Sequence, residues 1–178
     1  SQNRRYIPIG FLNGETIPTD AATIIIDASI YDFGVLISSV HMSWMRAVAG
    51  RLKSDYRYSK DIVYNNFPFV LPKKESSLDD SNPCDNLFCT PEQAAKIEQT
   101  AQAILDARAK FPDSSLADLY DEAVMPPELR KAHQENDKAV MATYAGSFAV
   151  NNGFSLKMTE GEVVAELFKM YERLTQRV

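Results

Sequence analysis

Apolar and polar positions in the first half of the chain predict short strands around one long helix. Residues 6–12 (YIPIGFL) and 22–27 (ATIIID) predict two strands, and the β-branched run in the second predicts that it is buried. Apolar side chains then recur at helical spacing over residues 30–49, after the capping residue Ser29, which predicts a single helix. Residues 61–64 (DIVY) predict a third strand before a proline ends regular structure.

The second half of the chain has a different pattern, because its signals are helical. Thr90 can cap a helix that has proline at its first position and Gln93 three residues after the cap. Ser115 can start a short helix, and Thr159 with Glu162 forms a second capping box. With a further start at Pro126-Pro127, these signals predict four helices: 90–110, a short one after Ser115, one from 126 to about 144, and one after Thr159.

A stretch with the composition of a linker, PKKESSLDDSNPCDNLFCT, separates the two halves. The patterns together predict an α+β fold, in which a small mixed α/β region is followed by an all-helical bundle of about four helices. The predicted organisation is a mixed region at residues 1–74, a linker at 75–89 and a helical domain at 90–178.

Composition places the chain among ordinary globular proteins. It has 178 residues, of which 45% are apolar and 24% charged, so it can bury a real core. Its apolar runs are all shorter than the roughly 18 residues that a membrane span needs, and no signal peptide opens the sequence. The chain also has only two cysteines, which fits a reducing compartment. We therefore expect a cytoplasmic protein without membrane contact.

The two cysteines, Cys84 and Cys89, lie five residues apart in the linker. They could form a local disulfide, or half of a zinc site with His41 and His133. Two incidental thiols are the favoured interpretation, because zinc sites normally show a second pair of ligands at short spacing.

Charge is distributed unevenly along the chain. Residues 1–74 carry nine basic and six acidic side chains, a net charge of +3, whereas residues 75–178 carry ten and eighteen, a net charge of −8. This asymmetry indicates two roles. The first half could face a polyanion, and most of the second would be repelled by one.

Catalytic motifs are missing from the sequence. There is no Walker loop and no GxSxG, and the glycines near residue 10 do not form a dinucleotide fingerprint. Phe111-Pro112-Asp113 is similar to the start of a nuclease PD…ExK motif, but no matching acidic-x-Lys follows. We expect His41 to be a core or interface histidine and His133 to be solvated on a charged helix. The chain itself is therefore expected to have no catalytic residues, cofactor or metal.

One stretch, GRLKSDYRYSKDIVYNNFPF at residues 50–69, combines aromatic and basic side chains. Five basic residues fall within fifteen positions, opposed only by Asp55: Arg46, Arg51, Lys53, Arg57 and Lys60. Such a cluster gains affinity for nucleic acid by releasing counterions from phosphates. The simpler alternative is a solvated strand face with cross-strand ion pairs.

Side-chain alternation singles out two residues in this stretch. If residues 52–58 form one extended strand, Lys53, Asp55 and Arg57 point to the same side, with Lys53 and Asp55 about 6.5–7 Å apart. A lysine donates to guanine O6 and N7, and an aspartate accepts from cytosine N4. The pair could therefore contact the two halves of one G·C pair.

Two segments resemble a known family. YIPIGFL followed by SxxHMxWMRAVxGRLKSDYRYSKDIVYNNFPF resembles the target recognition domain of MmeI-like (type IIL) restriction–modification enzymes. PEQAAKIEQTAQAILDARAKFPDSSLADLYDEAVMPPELRKAH is similar to the helical C-terminal domain of the same family. The resemblance covers nearly the whole chain, and residues 50–69 are its most specific part.

The resemblance implies that the chain is the C-terminal piece of a longer enzyme. Family members carry, in order, a PD-ExK endonuclease, a helical connector, an adenine methyltransferase that uses S-adenosylmethionine, a recognition domain and a helical domain. The implied partners are double-stranded DNA and the methyltransferase and nuclease domains of the same polypeptide. S-adenosylmethionine and Mg²⁺ are expected for that parent enzyme and not for this chain.

The resemblance also implies roles for individual residues. In the segment GRLxSx, family members vary a pair of residues that contacts an outer base pair of the target, and here the pair is Lys53 and Asp55. We expect it to specify G·C, with guanine on the strand that Lys53 contacts. The remaining candidates are expected to hold the DNA backbone or position the readers: Arg46, Arg51, Arg57, Ser59 and Lys60.

Two other functions compete with DNA recognition. The acidic helical half could be a non-catalytic module that binds a protein partner, without DNA specificity. A small hydrolase using His41 or His133 is disfavoured, because no nucleophile signature accompanies either histidine.

Overall fold

Helices form most of the computed structural model, which describes residues 4–19, 22–52, 55–72, 88–147 and 153–176. Within these ranges the structure contains six α-helices, one π-helix and four short strands, in this order: α1 (Ile30–Leu36), α2 (Ser39–Val48), β1 (Gly50–Leu52), β2 (Asp55–Arg57), the π-helix (Lys60–Tyr64), β3 (Leu71–Pro72), β4 (Phe88–Cys89), α3 (Pro91–Ala109), α4 (Leu116–Leu119), α5 (Pro127–Ser147) and α6 (Glu160–Thr175). The predicted α+β class is confirmed.

The helix predicted over residues 30–49 is divided into two. Ser29 caps α1 in a capping box with Asp32, as expected. A second serine, Ser38, interrupts the run: its hydroxyl donates to the carbonyl of Val35 (2.7 Å) and accepts from the amide of His41 (3.4 Å). Ser38 therefore caps the start of a second helix. The apolar residues at helical spacing over residues 30–49 are divided between α1 and α2.

All three predicted strands are wrong. Residues 6–12 and 22–27 are irregular, and residues 61–64 lie in the π-helix. There the amides of Tyr64 and Asn65 bond to carbonyls five residues back. Val63 is buried and Ile62 is exposed in this helix. The β-branched pair Ile62-Val63 favours a strand by propensity, which tertiary context overrides here.

The strands that do form are short and pair in two ribbons. β1 and β2 are antiparallel, with Gly50 opposite Arg57 and Leu52 opposite Asp55. β3 and β4 are parallel and join the end of the first half to the start of α3. The hydroxyl of Tyr31 donates to the carbonyl of Val70 (2.6 Å), which fixes this junction to α1.

The helices of the second half begin where the sequence predicted. Thr90 with Gln93 and Thr159 with Glu162 form complete capping boxes, and Ser115 caps α4. α5 extends to Ser147, beyond the predicted end near residue 144. Within the part of the chain that the structure describes, no helix is long and apolar enough to span a membrane.

A single hydrophobic core joins both halves, since α1 packs on α3, α2 packs on α6, and α3 packs on α5. At the α1–α3 contact a Cβ added to Gly34 would lie 2.7 Å from Cγ2 of Ile97, so only glycine permits this approach. Asn136 on α5 donates to the carbonyl of Gly34 (2.8 Å). Trp44 on α2 donates to the carbonyl of Val63 (3.0 Å) and holds the π-helix.

A buried polar network fastens the N-terminal segment to the helices. His133, predicted to be solvated, is fully buried and stacks on Tyr6, with ring centroids 4.1 Å apart. Its Nε2 lies 2.7 Å from the hydroxyl of Tyr120, which accepts a hydrogen bond from Arg108. The other end is Asp137, which accepts from the Tyr6 hydroxyl (2.6 Å) and from the Ser39 amide at the start of α2 (2.7 Å). The prediction failed because His133 lies on the inner face of α5.

Candidate nucleic-acid interface

The basic, aromatic stretch folds as a hairpin and not as one extended strand. The register of β1 and β2 places Leu52 opposite Asp55, so only residues 53 and 54 connect the two strands. The condition of one extended strand over residues 52–58, on which the alternation argument for Lys53 and Asp55 depended, is therefore not met. Asp55 is exposed at the end of β2 that adjoins this connection. Lys53 lies outside the described residues, so its pairing with Asp55 stays a prediction.

Arg51 is held across the hairpin by Tyr56. The two residues are direct cross-strand partners. The guanidinium carbon of Arg51 lies 4.3 Å from the centroid of the Tyr56 ring, and Arg51 Nη2 donates to the Tyr56 hydroxyl (2.9 Å). Arg51 nevertheless remains exposed, so a cation with a limited set of orientations faces solvent.

Tyr58 and His41 attach the end of the hairpin to α2. The Tyr58 hydroxyl lies 3.0 Å from Nε2 of His41, which packs against the edge of Phe67 with ring centroids 4.5 Å apart. Burial lowers the pKa of His41 to about 3, so the ring is neutral near pH 7. The expectation of a core histidine agrees with this position. Its Nδ1 has no hydrogen-bond partner among the described residues.

Two further cations, one on the hairpin and one just after it, have no strong ion pair among the described residues. Arg57 is exposed opposite Gly50 and has no ion pair within the described ranges. Lys60 begins the π-helix with its side chain 72% exposed, and its Nζ lies 4.0 Å from the exposed carboxylate of Asp61. Such a surface pair holds a charge weakly. Ser59 is half-buried before the π-helix, where its carbonyl accepts from the amide of Val63 (2.8 Å).

Arg46 occupies a different setting from the hairpin cations. Its Nε lies 2.5 Å from the carboxylate of Glu160 on α6, and its Nη1 donates to the carbonyl of Arg5 (3.2 Å). The side chain is only 22% exposed. The structure therefore places Arg46 in the joint between α2 and α6, with two of its nitrogens already bound.

Two clefts meet at this joint. One, of about 190 Å³, runs under the hairpin and includes Asp55, Tyr56 and Tyr58 in its lining. The other, of about 490 Å³, opens toward α6. Arg4 and Arg46 line both clefts. Arg4 was not predicted from the sequence, although the adjacent basic pair Arg4-Arg5 could have indicated it.

Within the described ranges, Cys89, His41 and His133 are not brought together as a metal site. Among the described residues, no group of three or more His, Cys, Asp or Glu side chains could hold a metal ion. Cys89 is buried with its Sγ 3.5 Å from the hydroxyl of Tyr31, and burial raises the pKa of its thiol. Cys84 lies outside the described residues.

Comparisons with known proteins agree along the whole chain. Residues 1–71 match the family "MmeI, target recognition domain", and residues 89–178 match "MmeI, C-terminal domain". DNA methyltransferase A of Bacillus subtilis (strain 168) is 37% identical over 177 residues, which are 99% of this chain and 17% of that protein. The solved structure of the type IIL restriction–modification enzyme MmeI in complex with DNA aligns with a TM-score of 0.81 and 41% identity. That alignment covers 99% of this chain and 20% of the other. The chain thus spans about a fifth of the length of these relatives.

Proposed function

Because the chain belongs to the MmeI-like family of type IIL restriction–modification enzymes, we propose that it is the DNA-recognition part of a longer enzyme that methylates and cuts DNA. The observation that carries this proposal is the 41% identity, over 99% of the chain, to an enzyme solved in complex with DNA. The exposed cations around the β1–β2 hairpin support it, because they suit a polyanion.

The second part of the proposal concerns base reading by Lys53 and Asp55. Lys53 is the first of the two residues that connect β1 to β2, and Asp55 opens β2, so the two residues are close along the chain at one end of the hairpin. A major groove admits a two-stranded β-ribbon, and there a lysine can donate to guanine and an aspartate can accept from cytosine. Together they would specify one G·C pair of the target.

We propose that the residues around this pair contact the phosphate backbone of the DNA or position the hairpin. Arg51, Arg57 and Lys60 are exposed on or beside the hairpin and would contact phosphates. Ser59 fixes the step from the hairpin to the π-helix. Arg46, which pairs with Glu160, would position the hairpin against α6 and reach DNA only by exchanging that carboxylate for a phosphate.

The catalytic steps belong to other parts of the parent enzyme. We expect the methyltransferase domain to hold S-adenosylmethionine and the nuclease domain to hold Mg²⁺, both on segments outside this chain. The role of the chain is to orient duplex DNA so that the target adenine can leave the stack and enter the methyltransferase pocket.

An exchange of the two readers tests the proposal. In the parent enzyme, Lys53→Asp combined with Asp55→Lys should change the preferred base pair from G·C to C·G at one position. The preference should change by roughly ten- to a hundredfold, since one base contact contributes about 1–3 kcal/mol. Methylation of a library randomised at each target position would measure this change.

A matched control exchanges charges away from the hairpin. Lys138 and Glu135 form an exposed i,i+3 ion pair on α5, with 2.8 Å between Nζ and Oε1. Lys138→Glu with Glu135→Lys should leave the target sequence unchanged. Equal loss of activity on every sequence in the hairpin variant, without a new preference, would contradict base reading and indicate a scaffold role.

A further inference from the structure

Residues 22–27 have the β-branched, apolar side chains that are typical of a buried strand. In this structure, however, most of these side chains are exposed on the surface. Ile24 is 55% exposed and Ile26 is 84% exposed, whereas Ile25 between them is half-buried. Across these three isoleucines the exposure alternates, as it does where neighbouring side chains of an extended chain point to opposite sides; Ile26 and Asp27 then form a turn toward α1. Three consecutive isoleucines also have the highest preference for strands. The segment is therefore suited to a sheet with two covered faces, and only one of its faces is covered here.

The backbone of the segment is unpaired as well. Within the described residues, no backbone hydrogen bond is formed by residues 23–27. Asp27 then adopts a left-handed conformation with φ of 55°, directly before the capping box of α1. Aspartate is among the few residues that accept this conformation, so the corner fixes where the extended segment leaves the helix. A row of free N–H and C=O groups is a template for another strand.

Other large apolar side chains are exposed earlier in the chain: Ile17 is 94% exposed, Leu12 57% and Phe11 48%. Large apolar side chains left exposed in this number often mark interaction sites.

Charge indicates what kind of partner the surface fits. Residues 10–33 contain no lysine or arginine and four acids: Glu15, Asp20, Asp27 and Asp32. DNA phosphates would be repelled by such a segment. An apolar protein strand would supply both the hydrogen bonds and the side-chain cover that the segment lacks. The relatives are about five times longer than this chain, so that strand can come from the same polypeptide.

We propose that residues 22–27 pair with an edge strand in the part of the parent enzyme outside this chain, and that Ile24 and Ile26 become buried in the shared sheet. The inference rests on the proposed function in one respect, namely that this chain works within a longer polypeptide. It does not depend on which bases the hairpin reads.

Amide hydrogen exchange in the parent enzyme tests the pairing. Amides of residues 23–27 should exchange at least ~100-fold more slowly than in an unstructured peptide, because strand hydrogen bonds protect them. Ile24→Asp and Ile26→Asp should each remove most of this protection. Val124→Asp and Leu156→Asp, at positions that are 66% and 65% exposed, are the matched controls and should leave the protection unchanged.

Several results would overturn the inference. Exchange at the unstructured rate would exclude any partner strand. Protection that appears only with added DNA would assign the surface to DNA, and protection that rises with protein concentration would assign it to a second copy. Methylation specificity is measured separately, so loss of base reading with intact protection would affect only the proposed function.

Discussion

Arg51 and Arg108 both stack on a tyrosine, but they belong to regions that use positive charge differently. Arg51 lies 4.3 Å from the ring centroid of Tyr56 and donates one hydrogen bond to its hydroxyl. Arg108 lies 4.9 Å from the ring centroid of Tyr120, donates to its hydroxyl through Nε and Nη2, and donates to the carbonyl of Ile9 through Nη1. It also stacks on Phe33.

The two guanidinium groups differ in how many of their nitrogens are already hydrogen-bonded within the protein. Arg108 has all three nitrogens bound inside the protein, so it can only hold the N-terminal segment on α3 and α4. Arg51 keeps its remaining donors toward solvent, on a hairpin with few internal bonds. Similar arginine–tyrosine pairs therefore have different roles: Arg108 stabilises the packing of the N-terminal segment, whereas Arg51 leaves a positive charge exposed on the hairpin.

Removing each arginine in turn should give the largest measurable difference between the two regions, in the free energy of unfolding. Arg108→Ala should lower the free energy of unfolding by about 3 kcal/mol, because several hydrogen bonds to a charged group are lost and the Ile9 carbonyl loses its donor. Arg51→Ala should cost no more than about 1 kcal/mol, the contribution of an exposed cation–π pair. Urea unfolding of the two variants measures both values. Equal losses would show that the hairpin is as tightly built as the network.

The second-largest effect should come from acid. Lowering the pH should reduce the free energy of unfolding, because His133 is buried in the polar network around Tyr6 and Tyr120. Burial, followed by the charges of Arg108 and Arg5, lowers the pKa of His133 to about 3. The unfolded chain binds this proton near pH 6.5, so the stabilisation is complete above that pH and is lost progressively as the pH falls toward 3. From pH 6.5 to 5 we expect a loss of about 2 kcal/mol for each histidine buried in this way, and His41 adds to it.

Asp137 opposes part of this effect, because burial raises the pKa of its carboxyl group. The folded protein therefore takes up this proton more readily than the unfolded chain as the pH falls. His133→Gln should make the unfolding free energy less dependent on pH between 6.5 and 5. An unchanged slope would contradict a neutral His133 in the folded protein.

The sequence predicted the second half well, because its signals are local. Thr90 with Gln93 and Thr159 with Glu162 each fix a helix start within four residues, and the structure forms both boxes. Ser38 carried the same kind of signal, but the continuous apolar period over residues 30–49 concealed it. Capping residues were thus better guides to boundaries than hydrophobic spacing.

Tertiary contacts explain what the sequence could not predict. Trp44 donates to the carbonyl of Val63 within the π-helix, and Tyr6 stacks on the buried His133 from more than a hundred residues away. At the candidate interface, composition singled out the basic stretch, and its contact with DNA stays a prediction. Composition could not show that the chain reverses after Leu52, because a two-residue hairpin without glycine or asparagine lacks the usual turn signal.

The smallest expected effect tests whether the exposed charges act on DNA at all. Lys60→Ala in the parent enzyme should lower affinity similarly for every DNA sequence, and should reduce the slope of log K against log salt by about 1, the value for one phosphate contact. Lys138→Ala is the matched control, since the two side chains are similarly exposed, at 72% and 69%, and lie on different elements, the π-helix and α5. Titrations at several salt concentrations would give both slopes. Equal slopes for the two variants would mean that the charge beside the hairpin is ordinary solvated surface, and base reading by Lys53 and Asp55 would then need a different source of docking energy.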